Sequence, residues 1–365
     1  MSDLTPDISS NKRNSNIEIL RILSMLFIIA HHYAVHGFDL SAGSFTVNEV
    51  TLQILSLGGK IGVNVFVFIT GYFMINSRFD AKKLLKLILA TTFYSLMIVS
   101  IAGILGLPGF SIYELFKSFL PVIFSAYWFA TTYLFLYLLS PFLNKFIRSM
   151  DKFSLLKLIL ILTTIWCVLP SVTGLAPEFS NLGWFITLYL IAGFLRLYPM
   201  AIFSKSKLNV ILSLCSFGLI ILNVIIFDLI SVRIFSHISD IGHFGAMNNL
   251  LILFCSITLF FGFLNARATY NSYINRIAQS TFGVYLIHDN NLLRPLLWED
   301  IFRTRTFLHS DILILHAVFA IISVFLVCTL IDQIRIVCFE KPLFTIINRK
   351  IDSRNASLSN VDIPQ

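Results

Sequence analysis

Ser15 to His36 runs SNIEILRILSMLFIIAHHYAVH. An apolar stretch of this length crosses a hydrocarbon core of ~30 Å as a helix. It nevertheless carries Arg21, His31, His32 and His36. Ser15-Asn16-Ile17-Glu18 predicts a capping box, with Ser15 as N-cap and Glu18 reaching back to it. Arg21 and His32 are eleven residues apart, about three helical turns, so both project from one face roughly 16 Å apart along the axis. His31 points about 100° away. Ionisable side chains inside a span are expensive and face the protein interior or a water-filled cavity. His36, near the end of the run, reads as interfacial.

Apolar runs of span length recur along the chain. They lie at about 17–36, 57–76, 83–106, 126–147, 154–171, 182–198, 208–231, 246–265, 277–293 and 311–338, each near the roughly 20 residues a helix needs to cross. Residues 107–125, with Pro108, Gly109 and Pro121, are expected at the interface. The fold class is therefore all-α, a polytopic membrane bundle of about ten helices. Three domains are expected: a disordered N-terminus over residues 1–14, the helical bundle over 15–340 and a basic tail over 341–365.

Composition agrees. Of 365 residues, 57% are hydrophobic and 13% charged, against roughly 25% charged in soluble domains. Mean hydropathy is +0.83. The formal net charge is +8, and its distribution points to topology rather than nucleic acid. With the N-terminus in the cytoplasm, only Lys60, Lys117, Arg233, Arg294, Arg303 and Arg305 of the 27 Lys and Arg fall outside. The positive-inside rule then favours an even number of spans with both termini cytoplasmic. No cleavable signal peptide is expected, since the first apolar run is of full span length. All eight histidines map to the outer half of the bundle or its outer loops. The cysteines Cys167, Cys215, Cys255, Cys328 and Cys338 have no CxxC spacing, which speaks against a zinc site or disulfide framework.

A sheltered histidine titrates near neutral pH and serves as a general base toward a hydroxyl nucleophile. An arginine near the cytoplasmic face can hold phosphate. Arg21 and His32 on one face thus suit an activated donor that enters from the cytoplasm. Gly58, Gly59, Gly62 and Gly71 favour close helix packing. Asn64 and Thr70 either line a cavity or bond across helices. Trp128, Trp184 and Trp298 fall near predicted outer helix ends, where an aromatic belt is expected.

Several blocks together resemble the membrane-bound acyltransferase 3 family of O-acyltransferases. These are Asn16-Ile17-Glu18-Ile19-Leu20-Arg21 with His31-His32-Tyr33, the glycine-rich run from Gly59 to Tyr72, Tyr127-Trp128-Phe129 with Tyr137-Leu138-Leu139-Ser140-Pro141, and Thr281 to His288 (TFGVYLIH). The resemblance covers about residues 16–335. It implies transfer of an acyl group, usually acetyl, from acyl-CoA to a hydroxyl of a cell-envelope glycan or its lipid-linked precursor, in the plasma (inner) membrane. It marks Arg21 and His32 as central, with His31 beside them, and implies acetyl-CoA as a donor substrate rather than a resident cofactor. Lys83-Leu84-Leu85-Lys86 stands where many members have Arg-x-x-Arg. Charge is kept but the bidentate fork is lost, so Lys83 and Lys86 are candidates to hold the CoA phosphates with Arg21. Asn64, Trp128 and His288 are candidates for the acceptor side.

Other readings remain. His31, His32 and His36 hint at a metal, as in di-iron membrane enzymes, but the further histidine clusters such enzymes use are absent from the sequence. No metal is expected. A transporter or flippase for a glycan precursor would also use a many-helix bundle with cavity charges, although no inverted repeat is visible. A partner that channels acyl groups to another enzyme is a third possibility.

Overall fold

The computed structural model describes residues 14–38, 46–173, 180–235 and 246–359. The expected disorder over residues 1–14 lies outside these save for Asn14, as do His237 and His243. Among the described residues the secondary structure is helical throughout, without strands. In chain order the α-helices are α1 (Ser15–Gly37), α2 (Val47–Met74), α3 (Ala81–Ile104), α4 (Ile112–Phe119) and α5 (Trp128–Ser149). There follow α6 (Lys152–Thr163), α7 (Leu169–Thr173), α8 (Asn181–Leu197), α9 (Ser206–Phe235) and α10 (Leu250–Leu264). Last come α11 (Ser272–Ala278), α12 (Thr281–His288), α13 (Leu293–Pro295), α14 (Leu313–Arg335) and α15 (Lys341–Ser359).

Helices α1 and α2 form the centre. Their contact is set by glycine: a Cβ on Gly62 would lie 2.6 Å from the Ser24 carbonyl oxygen, and one on Gly59 would collide with the His31 side chain. Gly71 plays the same part against α8, where Tyr189 and Ala192 lie 3.0 Å from the place of its missing Cβ. Close packing by small residues, as expected from the sequence, holds these three helices together. Within the most apolar stretch of α2, 78% of the residues are buried, against 22% in α9. The outer helices instead present large apolar side chains such as Leu214, Leu219 and Ile226. Exposed apolar surface on this scale calls for lipid.

Six helices among the described residues are long and apolar enough to cross a membrane. They match six of the ten expected spans: 17–36, 57–76, 83–106, 154–171, 208–231 and 311–338. Helices α8 and α10 are apolar but shorter. The span expected over 126–147 falls on α5, whose last turns carry Asn144, Lys145 and Arg148. The span expected over 277–293 is not one helix. It breaks at Gln279–Ser280 between α11 and α12 and ends again at Asp289. Asn290 explains the second end, because its side-chain oxygen accepts the Leu292 N–H at 3.0 Å and diverts the backbone from a helical path.

Two local expectations are also corrected. Asn14, not Ser15, caps α1, its Oδ1 accepting the Asn16 N–H at 3.0 Å. The Ser15 hydroxyl is taken by the segment around α11: it accepts the Asn271 N–H at 2.7 Å and donates to Asn275 Oδ1 at 2.8 Å. Trp184 and Trp298 are not in an aromatic belt, since both are fully buried. Trp184 donates its indole N–H to Asn64 Oδ1 at 3.0 Å, and Trp298 meets Tyr33 edge-on at 5.8 Å between ring centroids. Both indoles are packing anchors rather than interfacial ones, Trp184 with its N–H paired and Trp298 with no hydrogen-bond partner for its Nε1.

Candidate active site

A cavity of about 760 Å³ opens between α1, α2, α3, α5, α12 and the end of α14. Its size falls within the range of small-molecule sites, about 300–1,000 Å³. Arg21, His31, His32, Lys83, Lys86 and Trp128 all line it. Six of the eight candidate residues therefore share one space. Lys60, Arg335 and Glu340 also line it.

The two ends differ in chemistry. The basic end gathers Arg21, Lys83, Lys86 and Arg335. Arg21 Nε lies 3.8 Å from Glu18 Oε1 without a hydrogen-bond partner. Arg335 is buried at the end of α14. Its Nε donates to Asp332 Oδ1 at 2.8 Å and its Nη1 to Glu340 Oε2 at 2.9 Å. Tyr94 donates its hydroxyl to the same Asp332 oxygen at 2.8 Å. The other Glu340 oxygen meets Lys86 Nζ at 3.0 Å. Gly283 of α12 lies directly against the Asp332 carboxylate and leaves no room for a Cβ there. Lys86 and Arg335 are thus held in place by carboxylates, and the four cationic side chains come from three helices, α1, α3 and α14.

The histidine end is a set of directed contacts. His31 Nδ1 meets the Ser56 carbonyl at 2.5 Å, and a carbonyl only accepts, so this nitrogen carries the proton. His32 is buried, with Nδ1 2.9 Å from His288 Nε2. His288 Nδ1 lies 2.6 Å from the carbonyl of Val284, one turn back on α12. His32 Nε2 lies 3.5 Å from Asp289 Oδ1, and His36 Nε2 lies 3.6 Å from the same oxygen. Arg294 closes on that carboxylate with Nη2 at 2.6 Å and Nε at 2.8 Å. His36 is therefore part of this cluster and not merely interfacial.

Asn64 and His288 do not line the cavity. The Asn64 amide is committed to the protein, donating to the Met247 carbonyl at 2.7 Å and accepting from Trp184. His288 is fully buried behind His32. Trp128 is half-buried on the cavity wall beside Phe129.

One nitrogen from each of His32 and His36 and one oxygen of Asp289 lie within 4.8 Å of one another, a set that metals use. Arg294 already brings a cation to the same carboxylate, so a divalent ion there would face a guanidinium across one oxygen.

Sequence reasoning missed Asp289, Arg294, Asp332, Arg335 and Glu340. A usable signal existed for two of them: Asp332 and Arg335 stand one turn apart inside an otherwise apolar run, and buried charges in a span come paired.

A family model described as acyltransferase domain matches residues 14–333. No curated protein and no solved structure matches the chain.

Proposed function

The chain belongs to the membrane-bound acyltransferase 3 family, and on that footing we propose that it moves an acetyl group from cytoplasmic acyl-CoA to a hydroxyl of a cell-envelope glycan or its lipid-linked precursor. The observation that carries this reading is the single cavity joining four cationic side chains at one end to His31 and His32 at the other. Phosphate groups of the donor suit the basic end, where Arg21, Lys83, Lys86 and Arg335 converge. The pantetheine arm then runs along the cavity, and the thioester reaches the histidines. On this reading the basic end faces the cytoplasm at the plasma (inner) membrane, in keeping with the positive-inside rule.

At the histidine end the acceptor oxygen attacks the thioester carbonyl carbon. His32 takes the hydroxyl proton as the C–O bond forms. The tetrahedral intermediate collapses, the C–S bond breaks, and the imidazolium returns the proton to the leaving thiolate. The products are the O-acetyl ester and free CoA. A base that is fixed within hydrogen-bonding reach also removes much of the orientational cost of the step.

The test is mass spectrometry of surface glycans from the native host with the intact gene, a deletion, and His32→Ala expressed to equal level. An ester lost in the deletion and not restored by His32→Ala supports both the reaction and the site. An ester present in all three strains, with glycan export or amount changed in the deletion, rejects transfer in favour of transport. Metal content of the purified protein separates proton transfer from a metal centre at His32, His36 and Asp289.

A further inference from the structure

We propose that His288 is a positioning residue that holds His32 in the tautomer whose Nε2 is free to accept a proton. The inference rests on His32 being the base and goes beyond it, because it says which nitrogen works and what makes it available.

The Val284 carbonyl is 2.6 Å from His288 Nδ1 and can only accept, so that nitrogen carries hydrogen. In a neutral imidazole the other nitrogen then has only a lone pair. His288 Nε2 is thus an acceptor, and it faces His32 Nδ1 at 2.9 Å. His32 must donate from Nδ1, and its own Nε2 is left without hydrogen. A helical carbonyl thereby sets the proton position of a ring on another helix, through one intervening imidazole. Second nitrogens of working histidines are fixed in this way by their hydrogen bonds.

The neighbours of His32 Nε2 fit the assignment. Asp289 Oδ1 lies 3.5 Å away, too far for a good hydrogen bond. Its charge is engaged by Arg294 at 2.6 and 2.8 Å. In the resting state the carboxylate does not claim a proton from Nε2. Once Nε2 has taken the hydroxyl proton, that carboxylate stands 3.5 Å away, and the imidazolium is stabilised where it forms. His288 touches neither donor nor acceptor in this scheme and does not line the cavity. It acts through His32.

Two substitutions separate this role from packing. In His288→Gln the side-chain oxygen can reach the place of Nε2 and accept from His32. In His288→Asn the amide sits near the place of Nδ1, keeps the bond to Val284 and falls short of His32. Each variant is expressed in the deletion host with the whole chain intact, and its amount in the membrane is measured. Transfer is followed in membrane vesicles with labelled acetyl-CoA as varied donor and the endogenous acceptor, alongside glycan ester content in whole cells. His288→Asn is expected to lose roughly 10²-fold in kcat, with KM for acetyl-CoA within about twofold, since a displaced proton position costs acid–base catalysis and not binding. His288→Gln is expected to stay within about fivefold of the parent.

Equal activity in the two variants, whether both high or both low at normal membrane amount, overturns the assignment. So does a loss carried by KM. His32→Ala, run beside them, reports on the underlying reading. If it stays active, His32 is not the base. If it is dead while the two His288 variants agree, only the positioning role falls.

Discussion

The basic end and the histidine end of the cavity are both built from ionisable groups, yet they solve different problems. At the basic end, Arg335 and Lys86 are tied to Asp332 and Glu340 by contacts between full charges. Such contacts tolerate small changes in direction. At the histidine end the partners are a carbonyl, two imidazoles and a carboxylate already engaged by arginine. There the direction of each N–H decides what the next ring can do. One end is organised to hold charge, the other to assign a proton. Substitutions should therefore act on binding and stability at the first end and on turnover at the second.

The sharpest break in the comparison is His32→Ala. Removing the base should lower transfer per copy by about 10²- to 10⁴-fold, read as glycan ester content at matched protein amount, with protein amount unchanged. A comparable loss of protein would mean that the histidine cluster holds the bundle together, and the contrast between the ends would collapse.

Arg335→Met should act the other way. Asp332 is fully buried, and Arg335 and Tyr94 both meet its Oδ1. Deleting one partner of a buried ion pair costs about 3–5 kcal/mol because the other charge stays behind. The thermal transition of the purified protein should fall markedly. Adding Asp332→Asn to the same chain should recover much of the loss. If Arg335→Met leaves the transition in place, the network is not a structural element of α14.

The sequence made these two ends unequally visible. The pairing of Arg21 with His32 is legible because both lie on one helix, where the 3.6-residue period fixes their faces. That α2 packs closely against a neighbour is legible from Gly59 and Gly62, but that the neighbour is α1 is not. The contact between His32 and His288 spans 256 positions, and no local pattern carries it. Asp332 and Arg335 lie inside a stretch whose average hydropathy conceals them. The break near Asn290 is hidden for the same reason, since a window over 277–293 registers apolar content and not the single amide that turns the chain. Trp184 and Trp298 stand near helix ends in the sequence, whereas their surroundings are decided by packing from other helices.

A smaller effect is expected at the contact between Trp184 and Asn64, outside the cavity lining. Trp184→Phe keeps the ring but leaves Asn64 Oδ1 without its indole donor. An orphaned buried acceptor costs about 1–3 kcal/mol. The thermal transition should fall modestly, while KM for acetyl-CoA stays put, because Asn64 does not line the cavity. A raised KM with unchanged stability would move Asn64 back to the substrate.

The smallest effect bears most directly on how the basic end works. Glu340 lines the cavity with one oxygen on Lys86 at 3.0 Å and the other on Arg335 at 2.9 Å. On the proposed reading, a donor phosphate seeks the same two cations, so the carboxylate is a competitor built into the chain. Glu340→Gln removes the competing charge and keeps the shape. Lys86 is substantially exposed at 45% of its side chain, so the pair is screened and worth about 0.2–1 kcal/mol. KM for acetyl-CoA should fall by about 1.5- to fivefold, the same energy expressed as an equilibrium constant, with kcat unchanged. A rise in KM would assign Glu340 the opposite part, that of aiming Arg335 and Lys86 into the cavity. Either sign leaves turnover alone, and a change in kcat would show that the two ends are coupled through α12, where Gly283 lies against Asp332 and Val284 fixes His288.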